Sequence, residues 1–270
     1  AAAYADVESY FEALLYTGID PAFPADRWSR SESTESFNRF YGEGSTLGYG
    51  VSVAGLEVEG QPGQPLYVRH VEPLSPAARQ DVQRGDEVLA MNGRSAYDLI
   101  AADDFSALTA DSVGETLTLD LRRGGVQRTV SLSAAVFTLT PVGGTAVLTT
   151  AAGRRLGYVT VKDMIGQALA PLETAFSRFR AEGVQDVVLD LRYNGGGLLD
   201  IASELAYMVA GAGATTGKAF EKSTFNDQNP FRLSAAATTI AFHAVAQGFS
   251  TTQRQPLPQL GLRRVFVTTG

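Results

Sequence analysis

The chain contains no cysteine, and its 270 residues include only two histidines, one tryptophan and three methionines. Without cysteine there can be no disulfide, thiolate metal site or cysteine nucleophile. Imidazole comes only from His70 and His243. A histidine-based metal site is therefore not expected, no cofactor is called for, and both histidines are expected to be structural or surface residues. Basic residues are also in deficit, 22 against 29 acidic for a net charge of −7. Arg154-Arg155 and Arg263-Arg264 are isolated pairs, so a nucleic-acid partner is not expected. No run approaches the roughly 20 apolar residues of a membrane span. The chain opens on Ala1-Ala2-Ala3 with neither an initiator methionine nor a signal peptide, which reads as a trimmed or mature end. What is present is ordinary for a globular protein: 44% hydrophobic and 19% charged residues, in a length sufficient for two domains.

The stretch Asp186 to Ala210 organises the rest. Val187, Val188 and Leu189 form a short apolar run bounded by charge, as in a strand buried on both faces. Leu198, Ile201, Leu205 and Met208 then recur at helical spacing, which leaves Asp200, Ser203 and Glu204 for the opposite, polar face. Between the two lies Tyr193-Asn194-Gly195-Gly196-Gly197. Glycines at a helix start bring bare backbone N–H groups to a bound group, at the end of the helix that favours an anion. A dinucleotide fingerprint needs a third glycine where Asp200 stands, and no G-x-x-x-x-G-K-[ST] run exists. An oxyanion hole built on Gly195 and Gly196 and a tight turn that merely requires glycine both remain open.

Along the chain, Asp6 is placed to cap a helix carrying Val7, Tyr10, Phe11, Leu14 and Leu15 on one face, with Gly18 ending it. Trp28, Phe37, Phe40 and Tyr41 mark an aromatic segment, expected to hold a second short helix and to anchor it on the next domain. From Leu47 the period becomes two. Leu47-Gly48-Tyr49-Gly50-Val51 is a glycine-bearing turn feeding a strand to Val53, and Leu66 to Val71 is the next strand. Ser75-Pro76 opens a helix, another is expected between Ala96 and Leu108, and a hairpin turns at Gly124-Gly125. Val136 to Val142 and Ala146 to Thr149 read as a strand pair around Gly143-Gly144. Leu156 to Val161 is a strand, and a helix carrying Leu169, Leu172, Phe176 and Phe179 follows, with Pro171 in its first turn. The order strand, helix, strand predicts a βαβ unit. Beyond Gly211, Lys218 to Phe225 looks like a strand, Asn226 to Pro230 a turn, Ala235 to Gly248 a strand or edge helix, and Gln255 to Pro258 a linker. Arg264 to Gly270 reads as a buried strand.

Asp190-Leu191-Arg192-Tyr193-Asn194-Gly195-Gly196-Gly197 resembles the D-L-R-x-N-G-G-G signature of the C-terminal processing (tail-specific) serine peptidases. Val68-x-x-Val71-x-x-x-Ser75-Pro76-Ala77 and Gly85-Asp86-x-Val88-Leu89-x-x-Asn92-Gly93 resemble the PDZ domain that this family carries. The resemblance implies a multidomain α+β and α/β chain: a helical segment over 1–44, a β-rich PDZ domain over 45–135, and a crotonase-like α/β peptidase core over 136–270 that is incomplete at its C-terminal side. It implies polypeptide substrates or protein tails as partners, with Leu47, Gly48, Tyr49, Gly50 and Val51 as the peptide-binding loop and strand. Gly195 and Gly196 would supply the oxyanion hole, and the setting would be the bacterial cell envelope, periplasmic or lipid-anchored. The family's nucleophilic serine, in an S-A-S-E-like segment, and its general-base lysine have no counterpart here. Both would fall beyond Gly270, and Lys162, Lys218 and Lys222 match no position for the base. The 270 residues are thus expected to be inert as given. An open apolar edge on the last strand would invite self-association. Two other readings stand beside this one: a non-catalytic peptide-binding scaffold or pseudo-peptidase, and a crotonase-type acyl-CoA enzyme, against which the PDZ segment argues.

Overall fold

The computed structural model describes residues 4–26, 29–225, 234 and 236–269. Asp6 caps α1 (Val7–Leu14) by accepting the Ser9 N–H at 2.7 Å, and Ser9 Oγ accepts the Asp6 N–H in return. The helix stops at Leu14 because Leu15 is already extended, so Gly18 is not its terminator. None of its residues is buried. Trp28 lies outside the described residues. α2 (Thr34–Phe37) runs into a π-helical turn, Asn38–Glu43, and there Phe40 and Tyr41 pack on Phe137, Leu139 and Ile165, so this segment is anchored past residue 135 and not on the domain that directly follows it.

β1 (Ser45–Gly48), β2 (Val51–Val53), β3 (Leu66–Val71), α3 (Pro76–Arg79), β4 (Glu87–Met91), β5 (Arg94–Ser95), α4 (Ala96–Ala102), β6 (Thr116–Arg123) and β7 (Val126–Ser133) follow. The sheet runs β2-β3-β4-β6-β7, with β5 paired to β4. Leu117, Leu119 and Leu121 point inward from β6 onto Leu66, Val68, Val88, Met91, Leu99 and Ile100. Alternation in the sequence becomes alternation in burial. Leu47 and Gly48 belong to β1 and pair with β8 (Ala135–Thr138), so the turn between β1 and β2 is only Tyr49-Gly50.

The expected hairpin around Gly143-Gly144 does not form. β9 (Val142–Thr149) runs straight through both glycines, antiparallel to β10 (Arg155–Val161), while Val136 sits in β8. Gly143 instead allows close strand approach, since a Cβ there would lie 3.3 Å from the Thr160 side chain. β10, α5 (Leu169–Ala181) and β11 (Asp186–Asp190) form the expected βαβ unit, with β10 and β11 parallel. α6 (Leu199–Ala210), α7 (Ala212–Thr215), β12 (Ala219–Lys222), β13 (Thr239–Ala241) and β14 (Val265–Thr268) complete the chain. The core sheet is ordered β14-β11-β10-β9, and β14 is parallel to β11.

Three sequence expectations are corrected in this half. Ser203 and Glu204 are not on a solvent face; both are fully buried, because residues 241–247 fold over that side of α6. Gln255 to Pro258 is no loose linker: Val245 bridges to Pro256, and Leu257 is buried in the core. β14 is a strand but not a buried one, with Phe266 49% exposed and Val265 and Val267 similarly open. The turn expected at Asn226 to Pro230 lies outside the described residues.

Candidate active-site cleft

β10, β11 and β14 are parallel, so their C-terminal ends meet at one edge of the sheet, where open α/β folds place their ligands. Val161, Asp190 and Thr268 stand at those ends. Asp190, 1% exposed, binds them together. Its carboxylate accepts the Tyr158 hydroxyl at 2.6 Å, the Thr268 hydroxyl at 3.0 Å and the Arg192 Nε and Nη2 at 2.9 and 2.7 Å. The Arg192 hydrogen bonds hold its pKa far below the usual carboxylate range, against the opposing effect of burial. This fixes the direction in which Arg192 to Gly197 leaves the sheet.

The glycine turn then lies on residues 162–164. Met164 N–H donates to Gly196 O at 2.9 Å, and Leu198 N–H donates to Met164 O at 2.6 Å, a one-residue parallel bridge that ends where α6 begins. Gly197 has to be glycine. Its φ is +133°, and a Cβ would fall 2.4 Å from Met164 O. All three glycines are exposed. Gly195 N–H reaches Lys162 O only at 3.3 Å, and Gly196 N–H is held by Asn194 Oδ1 at 2.8 Å. Both amides named from the sequence therefore have internal acceptors in this conformation. Gly197 N–H has none among the described residues.

Gly195 opens on a cleft of about 380 Å³ between the two lobes, lined also by Ser52 and Val53 of β2, His70, Glu72, Lys162 and Asp163. Lys162 is 5% exposed; its ammonium pairs with Glu72 and donates to Thr140 Oγ1 at 3.0 Å. His70 Nε2 lies 2.9 Å from Glu72 Oε1 and 3.3 Å from Lys162 Nζ. Burial works to raise the Glu72 pKa, but the hydrogen bonds and charges of His70 and Lys162 hold it at about 2. Asp163, beside them, is pushed by burial up to about 6. This cluster joins β3 of one lobe to β10 of the other. Sequence reading missed it, taking His70 as a structural or surface residue and finding no role for Lys162. The available signal was a Lys-Asp pair directly after a buried strand, at the sheet edge where sites gather. His243 pairs with Asp200 at 2.8 Å on α6.

Of the peptide-loop residues, Tyr49 is buried and Leu47 and Val51 pack against the core of the first lobe. Gly50, at φ +72°, faces Ser75 so closely that a Cβ would lie 2.0 Å from the serine Cβ. The free edge of β2 lies beyond them, since β2 ends its sheet. Among the described residues no three His, Asp or Glu side chains are grouped to hold a metal ion, and no helix is long and apolar enough to cross a membrane.

A β-rich domain is thus set against a core sheet whose parallel strands end at a glycine turn. Residues 46–134 match the PDZ domain and residues 155–243 match peptidase family S41. The chain is 29% identical over 175 residues to the chloroplastic C-terminal processing peptidase of Tetradesmus obliquus, covering 60% of this chain and 38% of that one. It is 27% identical over 136 residues to the carboxyl-terminal-processing protease of Picosynechococcus sp., covering 50% and 32%. An S41 protease structure from Bacteroides fragilis superposes with a TM-score of 0.54 at 22% identity, over 93% of this chain and 67% of that one, and shares its fold. The second half of the chain is thus similar to peptidase family S41, and the chain as a whole is similar to C-terminal processing peptidases. It spans about a third to two-fifths of the length of the curated relatives it matches.

Proposed function

We propose that the chain is the tail-reading and oxyanion-stabilising part of a serine endopeptidase that processes proteins at their C-terminal ends. The observation that carries this reading is the convergence of β14 and the glycine turn. Leu191 N–H donates to Thr268 O at 2.8 Å, so the chain leaves β14 beside Arg192 to Gly197. In the family pattern the nucleophilic serine follows this strand, and a group carried there meets a carbonyl held by the turn. The domains divide as 1–44, 45–135 and 136–270. The loop Leu47 to Val51 takes the terminal carboxylate and the free edge of β2 pairs with the tail. Gly195 and Gly196 donate to the oxyanion. The Gly195 bond to Lys162 is long enough for a stronger acceptor to displace, and the Gly196 amide is freed by rotation of the Asn194 side chain. A Ser/Lys dyad, absent from these residues, supplies attack and proton transfer. The bacterial relatives support a cell-envelope setting, periplasmic or lipid-anchored.

The occupied Gly196 amide favours a second reading, a scaffold that binds tails without cleaving them. One experiment separates the two. A polypeptide of these 270 residues leaves an unstructured protein intact, while a version continued through about 100 further encoded residues cleaves it. Cleavage by the 270 residues alone would overturn the assignment of the nucleophile, and a longer version that binds tails but never cleaves would establish the scaffold. The exposed edge of β14 supports self-association; a single monomer boundary in sedimentation at high concentration would remove it.

A further inference from the structure

Next to the cleft lies a second cavity, of about 330 Å³, bounded by Ala54, Glu57, Arg69, Arg84, Arg192 and Tyr193. It shares Arg69, Arg192 and Tyr193 with the cleft that holds Ser52, Val53 and Gly195. Three guanidinium groups surround one aromatic ring, with Arg69, Arg84 and Arg192 at 5.5, 5.6 and 6.0 Å from the Tyr193 centroid. Like charges gathered in this way repel unless they are neutralised. Asp190 neutralises Arg192 through two hydrogen bonds. Arg69 is partly compensated, with Nε 3.4 Å from Glu57 and Nη2 donating to Arg192 O at 3.0 Å. Arg84 has no carboxylate partner and no hydrogen-bond acceptor among the described residues; its one contact is the ring face, which leaves its N–H edges unused. The cavity thus carries uncompensated positive charge and directional donors, in a chain whose net charge is −7.

The position of this charge indicates what it meets. A tail that pairs with the free edge of β2, its carboxylate held by the loop before Val51, must run antiparallel to β2. It passes Ser52 and Val53 and reaches Ala54, which lines the arginine cavity. Ala54 is four residues beyond Gly50, so at about 3.3 Å per residue the tail residue roughly four before the last arrives there. We infer that the Arg69–Arg84–Arg192 cavity is a carboxylate subsite that selects tails carrying an aspartate or glutamate about four residues before their C-terminus. This rests on the tail-docking reading above. Arg84 makes the discriminating contact, by a charge-assisted hydrogen bond that a glutamine side chain cannot match.

Two pools of fluorescent decapeptides test it, with the last three residues randomised among apolar types and either Glu or Gln fixed four residues before the last. Binding to the 270-residue protein is read by anisotropy, with a C-terminally amidated Glu pool as a third arm. The Glu pool should bind roughly tenfold more tightly than the Gln pool at low salt, and Arg84→Gln should collapse that difference. Equal binding of the Glu and Gln pools, with loss on amidation, overturns the subsite and leaves tail docking standing. Equal binding of the free and amidated pools, or no binding by any pool, overturns the docking reading and the subsite with it.

Discussion

Burial pushes the Glu204 carboxyl up to about 7, from an ordinary value of 4.5. Oε1 accepts the Gln247 N–H at 2.8 Å, and Oε2 has no partner among the described residues. The folded protein therefore keeps a proton that the unfolded chain releases. The stability contributed by this group is complete below about pH 4.5 and is lost as pH rises through 7. Asp163, pushed to about 6, acts with the same sign. Glu72, held near 2, acts with the opposite sign and only below its ordinary 4.5. The melting temperature should fall between pH 5 and pH 8, and Glu204→Gln should make that fall shallower; an unchanged slope in the variant would show that Glu204 is ionised in the fold. This residue also marks a limit of sequence reading. Helical periodicity assigned Ser203 and Glu204 to solvent because it registers only α6's own residues. Ser203 Oγ accepting the His243 N–H at 2.9 Å, and Glu204 accepting that of Gln247, are contacts some 40 residues distant in the chain.

At the scale of elements, the segment from β10 to α6 was legible because its signals are local: an apolar run, a glycine stop at Gly183, a 3.6-residue repeat, and then three glycines. The Gly143-Gly144 turn was not, since two adjacent glycines serve a close strand contact as readily as a hairpin, and only the partner strand decides. Gly144 and Gly197 show the difference between permissive and obligatory glycine. Gly197→Ala places a Cβ against Met164 O in a left-handed backbone and should cost roughly 1–3 kcal/mol in backbone strain alone, read by urea unfolding. Gly144→Ala, which meets no atom within 4 Å, should stay within about 1 kcal/mol of the parent. Equal stability of the two would mean that the turn is not seated on Met164. Gly50→Ala meets Ser75 and would distort the tail loop itself, so lost tail binding in that variant would not report a lost contact.

At the scale of the whole molecule, two lobes recognisable in the sequence meet through groups that the sequence did not point to. Lys162, Glu72, His70 and Thr140 interlock across the junction, and the pair-forming residues lie 90 positions apart. Breaking one partner of such a buried pair strands the other charge, so the glycine turn is held from both sides, by Asp190 beneath and by this cluster beside. The most direct test removes one amide N–H, in the protein extended to include the family's serine and lysine, with alanine as the control for side-chain bulk. Gly195 has no positive φ, and a Cβ there meets no atom within 4 Å, so Gly195→Ala keeps both the backbone and the N–H, whereas Gly195→Pro deletes the N–H. Gly195→Ala should keep near-parental kcat, and Gly195→Pro should lose about 100- to 1,000-fold in kcat with little change in KM. Equal kcat for the two variants would contradict the oxyanion role of this amide.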